Sequence, residues 1–204
     1  MDFGGNQKKR EYENPKVGLH AARIYKIADL GTQTEKYSDK PETTSRRMVV
    51  WWELAQTMAD GRPFSVYLEY NQFLASEKSK LRGHLKSWTG KDITKEIIKS
   101  FDPKVMMLGK ACMVNLVLNA NNKVKVDGLL AIPDGLPKPA LVNSPAFFDL
   151  DAFDQATFDG LPNWIRAKII VSPEYRLLHG DTGAEKYGHD DAPPPSTEED
   201  DIPF

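Results

Sequence analysis

The hydrophobic spacing of this chain changes period twice, and that change constrains the fold more than any other feature. Residues 45–56 (SRRMVVWWELAQ) alternate strictly: Met48, Val50, Trp52 and Leu54 fall on one face, and Arg47, Val49, Trp51 and Glu53 on the other. Such a period of two makes a strand. Asp60-Gly61 turns the chain into a further strand over 62–70, with Phe64, Val66 and Leu68 inward and Ser65, Tyr67 and Glu69 outward. Upstream, residues 17–33 are rich in β-branched and aromatic residues and read as a long first strand. A bulge is expected where alternation fails near Ala21 and Ala22. Residues 34–44 are polar, carry Pro41, and form a loop long for a hairpin.

Beyond Tyr70 the spacing becomes helical. Leu74, Lys78, Leu81, Leu85 and Trp88 recur every three or four positions, with Ser76 as N-cap and Gly90 beyond the stop. A short second helix over 94–101 ends at Asp102-Pro103. Strands return over 110–118 and 123–132, joined by the turn-forming residues 119–122. Three strands, a helical insert and two strands is the connectivity of the OB-fold, a five-stranded, partly open barrel. A doubly wound sheet would alternate strand and helix throughout. The expected fold is therefore mainly β, with the helix between strands 3 and 4.

The remainder divides by composition. Residues 1–16 are a loose polar leader with no apolar run of a signal peptide, and 17–133 form the barrel. Within 134–178 a proline-rich linker leads to Phe147, Phe148, Leu150, Phe153 and Phe158, then to a short helix from Pro162 that ends at Ser172-Pro173. These apolar residues are too many to leave in water, so the segment should pack on the barrel. Residues 179–204 are acidic, carry Pro193 to Pro195, and read as a disordered tail.

Charge follows the same division. The whole chain sums to −2, but residues 1–178 carry 26 Lys and Arg against 21 acids, and residues 179–204 carry one lysine against eight acids. A mildly basic body suits nucleic acid, and an acidic tail suits a protein partner. One cysteine, Cys112, excludes an internal disulfide, suits a reducing compartment and reads as inert core; no segment is apolar enough to span a bilayer. The four histidines lie on separate elements, and the chain has neither a zinc spacing nor a phosphate-cradling glycine motif. Neither a cofactor nor a catalytic set is expected. A nuclease would need carboxylates clustered on ordered strands, whereas Asp29, Glu53, Glu69 and Asp127 are scattered.

Single strands bind where a positive groove meets exposed aromatic faces. The candidates are Arg23, Tyr25, Lys36, Tyr37, Arg46, Arg47, Trp51, Tyr67 and Tyr70, with Lys26 and Lys40 nearby. Adjacent strand residues face opposite ways, so Trp52 is expected in the core and Trp51 toward the ligand. The competing reading is that these rings are covered by another element, the Trp164 helix. The chain ends Glu198-Glu199-Asp200-Asp201-Ile202-Pro203-Phe204, where acids precede apolar anchors at the terminal carboxylate. Asp200, Asp201, Ile202, Pro203 and Phe204 are the expected partner-binding tip.

This ending resembles the acidic tip of bacterial single-stranded DNA-binding proteins. The body resembles a phage single-stranded DNA-binding family through Gly18-Leu19-His20-Ala21-Ala22-Arg23, Asp29-Leu30-Gly31-Thr32-Gln33, Trp52-Glu53-Leu54, Gly61-Arg62-Pro63-Phe64, Leu81-Arg82 through Trp88-Thr89-Gly90-Lys91, and Leu161-Pro162 through Ser172-Pro173-Glu174-Tyr175. The resemblance implies an OB-fold, sequence-independent binding of single-stranded DNA in an infected bacterial cytoplasm, and a tip that docks on replication, recombination or repair proteins. The helical insert and the segment after the barrel depart from the bacterial proteins, so their tetramer is not carried over, and homodimerisation stays open. The alternative is a protein-interaction module that draws away host replication factors through the tip without binding DNA.

Overall fold

The two apolar sets on the expected second strand are both buried, each in a different core. The computed structural model describes residues 13–36 and 41–180. Its strands are β1 (Gly18–Glu35), β2 (Thr43–Thr57), β3 (Pro63–Asn71), β4 (Ala111–Leu118), β5 (Val124–Leu130) and β6 (Ala146–Phe148). Helices α1 (Lys80–Thr89), α2 (Lys95–Lys99) and α3 (Pro103–Met106) lie between β3 and β4, and α4 (Gln155–Asp159), α5 (Asn163–Ile170) and α6 (Pro173–His179) follow β6. Among the described residues no helix is long and apolar enough to cross a membrane.

All six strands belong to one mainly antiparallel sheet with the order β3-β2-β1-β4-β5, and β6 runs parallel beside β1. The chain is mainly β with a helical insert, as its periodicity indicates. The sheet is not closed: among the described residues no ladder joins β3 to β5. Instead α1 lies against both strands, and its buried His84 links them. A carbonyl only accepts, so His84 Nε2–H donates to the Asp127 carbonyl (3.0 Å), leaving Nδ1 to accept the Tyr70 hydroxyl (2.7 Å). Trp88, one turn further along α1, donates its indole N–H to the Ala111 carbonyl at 3.0 Å.

One core lies between the sheet and this insert. It contains Met48, Val50, Trp52 and Leu54 of β2, Phe64, Val66, Leu68 and Tyr70 of β3, and Leu81, Leu85 and Trp88 of α1. Cys112 is also there, and burial pushes its thiol up to about 12, as an inert core cysteine requires. The second core occupies the opposite face of β1, β2 and β3, where Val49, Trp51 and Tyr67 pack on Phe148, Leu150, Phe158, Ile165 and Ile169. The segment after the linker therefore packs back on the sheet, as its apolar content demands.

Local boundaries moved for identifiable reasons. Helix α1 begins at Lys80 because Ser79 supplies the cap, accepting from the Arg82 amide; Leu74 is buried ahead of it, outside the helix. Asp102-Pro103 and Ser172-Pro173 read as stops, yet each starts a helix, with the first residue as cap and proline in the first turn. The bulge expected near Ala21 and Ala22 lies between Ile24 and Lys26, and a second irregularity lies between Asp29 and Gly31. At this second point α6 closes on β1. The Thr32 amide donates to Glu174 Oε2 (2.9 Å) and the Thr32 hydroxyl to Oε1 (2.6 Å), so the two motifs DLGTQ and SPEY meet in space.

Candidate nucleic-acid interface

The face expected to stack on bases is the second core. Trp51 is 6% exposed and Tyr67 5%, because α5 lays Trp164 over both; the ring centroids lie 6.4 and 4.9 Å away. The two tryptophans do face opposite ways, but the expected exposure of Trp51 is corrected: its side of β2 meets protein. Tyr70 is corrected more simply. It shares the parity of Phe64, Val66 and Leu68, and so points into the first core at 1% exposure, edge-on to Trp52.

The arginines of the set have internal partners. Arg46 pairs with buried Asp29 and, at 2.8 Å, with Asp151 of the extension; the Asp29 hydrogen bonds hold its guanidinium above its ordinary value. Arg47 pairs with Glu35 and lies 3.7 Å from Glu69, which also takes Lys168 of α5. Arg23 donates to the carbonyls of Gly109 and Pro139. Opposite it on β2, buried Glu53 accepts from the Val142 amide (2.6 Å), the Asn143 amide (2.9 Å) and the Asn143 side chain (2.7 Å). Together Arg23 and Glu53 pin the linker across the sheet. Lys36 is exposed where β1 ends, while Tyr37 and the tip residues Asp200, Asp201, Ile202, Pro203 and Phe204 lie outside the described residues.

Tyr25 and Lys26 remain accessible on the sheet. The bulge puts both between inward-facing Ile24 and Ile27, so two consecutive side chains turn to the same face. The Tyr25 hydroxyl is hydrogen-bonded to Ser65 at 2.8 Å, and burial raises its phenol above the ordinary value. The Lys26 ammonium lies 5.9 Å from the ring centroids of both Tyr25 and Trp51, and burial lowers its proton affinity. Lys26 is one of the cations expected along the first strand. The signal that finds it is the run Ile24-Tyr25-Lys26-Ile27, whose apolar ends are one residue too far apart for simple alternation.

No protein-family model, curated protein or solved structure matches this chain.

The charge of the body is also more localised than its total suggests. Residues 78–110, which hold α1 to α3, carry nine Lys and Arg against three acids; the rest of 1–178 carries 17 against 18. The helical insert thus holds the whole basic excess. Lys86 pairs with Asp92 at 2.6 Å, whereas Lys91, Lys95, Lys99, Lys104 and Lys110 are exposed and ion-paired with no described carboxylate. Counting charge by element would have found this before the structure.

Proposed function

We propose that this chain binds single-stranded DNA without sequence preference, through an OB-type body of phage kind, and recruits replication, recombination or repair proteins through EEDDIPF. The observation that carries the reading is the strand order β3-β2-β1-β4-β5, which is the path of an OB barrel cut between strands 3 and 5, with α1 standing in the cut. In such folds the loops joining strands 1 to 2 and 4 to 5 frame the nucleic acid; here they fall at 36–42 and 119–123. Burial of Trp51, Tyr67 and Tyr70 removes the stacking platform from the binding surface, so the reading rests on Tyr25, Lys26, Lys36 and the lysines of the insert.

Fluorescence anisotropy of labelled oligo-dT against the full chain, repeated over a salt series, is the test. Affinity is expected to fall linearly on a log-log plot as salt rises. Deleting residues 198–204 should leave binding intact or strengthen it, since the acidic tip resembles a polyanion. Absence of salt-dependent binding would sink the reading. The burial of those three rings favours the second reading, a protein-interaction module, which would then stand.

A further inference from the structure

The helices on the two sides of the sheet carry opposite charge. Helix α2 packs on the first core through Ile97 and Ile98, and the insert around it, residues 78–110, holds nine Lys and Arg against three acids. Helix α4 packs on the second core through Phe158, and residues 149–159 hold four acids and neither Lys nor Arg. The two cores lie on opposite faces of β1, β2 and β3, so these layers cannot meet within one chain.

The insert is also apolar where it is basic. On α3 Val105 is 68% exposed and Met106 37%, while Lys95, Lys99, Lys104 and Lys110 are exposed and ion-paired with no described carboxylate. An apolar centre with a charged rim is the anatomy of a protein interface. Phosphates alone would satisfy the lysines, whereas Val105 and Met106 call for an apolar counterpart. The other layer offers both. Between Asp151 and Asp154, Ala152 is exposed and Phe153 half-buried. Asp149 and Asp154 have no cationic partner among the described residues, and the side chains of Asp151 and Asp159 stay 66% and 54% exposed beside Arg46 and Arg166.

We propose that copies of this chain join head to tail, the Val105 and Met106 surface of one insert receiving residues 149–159 of the next copy. Each copy in such a pair keeps one free face, basic on one and acidic on the other, so the contact is heterologous and builds an open row rather than a closed dimer. The inference goes beyond the single-strand reading and does not require it, although a row of copies is what cooperative coating of a strand would use.

The test is sedimentation of the full chain over a range of concentrations, without nucleic acid, because phosphates would compete for the same lysines. The average mass is expected to rise with concentration at low salt and to fall back toward that of one chain at high salt, where the charges are screened. Two variants reverse one face each: Lys95→Glu with Lys99→Glu on the insert, and Asp151→Lys with Asp159→Lys on the extension. Either should weaken association by roughly tenfold or more, since like charges then face each other. Mixed in equal amounts, the two variants should associate again, because each presents the sign the other lacks; mixing would not cure a folding defect. The extension variant keeps the acidic tail, so undiminished association in it would make the tail the occupant of the insert and overturn the proposal. It is overturned equally if the parent stays monomeric at low salt, if the mixed variants stay apart, or if the mass stops at twice that of one chain.

Discussion

At Gly31 the extension packs directly on the sheet. Its φ is +69°, and a Cβ there would lie 2.7 Å from Leu150 Cδ2 and 2.8 Å from both Ser172 Cβ and Glu174 Oε2. Backbone conformation and space both demand glycine. Gly31→Ala should therefore destabilise the protein by about 1–3 kcal/mol from the backbone alone, with the steric clash adding to it. A lowered urea midpoint with an unchanged slope would verify this; a midpoint equal to the parent's would refute it. Trp51 belongs to the same packed face. Truncating it to alanine would cost about 3–5 kcal/mol as a core deletion, so weaker DNA binding in that variant would report on folding rather than on stacking.

At the scale of elements, α6 is held to β1 by a titratable clasp. Burial raises the Glu174 carboxyl, but hydrogen bonds from the Thr32 hydroxyl and amide outweigh it, and its proton affinity is net lowered. A carboxyl depressed in the folded state contributes stability that is present above the ordinary glutamate value and lost as pH falls through the depressed one. The Thr32 amide resonance should accordingly titrate below the ordinary glutamate range, and this step should vanish in Glu174→Gln. A step at the usual glutamate value would contradict it. This clasp joins residues 142 positions apart, and spacing along the chain cannot reveal such a pair.

Other elements were legible to differing depths. Alternation in 45–56 gave β2 its two faces correctly, and the presence of Val49 and Trp51 opposite Met48, Val50 and Trp52 already signals a strand buried on both sides. Tyr70 could be assigned inward by counting parity from Phe64. By contrast β6 is three residues long and takes its conformation from pairing with Lys26, Ile27 and Ala28, so no local pattern marks it. The expected exposure of Trp51, Tyr67 and Tyr70 is overturned because aromatic character was taken as exposure, and the same rings serve packing equally well.

For the whole molecule, the basic insert and the acidic tail are the strongest features of the charge distribution. Lys95 and Lys99 are one helical turn apart on α2, exposed and free of described carboxylate partners. If the strand crosses this surface, the double reversal Lys95→Glu with Lys99→Glu should lower the slope of log affinity against log salt by about two or more, roughly one for each lost phosphate contact. Stability should change little, because neither side chain is packed. An unaltered slope would remove the insert from the binding track and leave the Tyr25 and Lys26 side of the sheet.

The wall that β1, β2 and β3 make between the two cores also limits how this architecture can vary. A chain trimmed after residue 133 would keep every strand of the β3-β2-β1-β4-β5 path and lose the cover of Val49, Trp51 and Tyr67. That fragment would present a sticky aromatic stripe to its own copies. What the composition marks off as an appendage is thus half of an interior. With Trp51 and Tyr67 filling a second interior, the segment that covers them cannot be removed without exposing them.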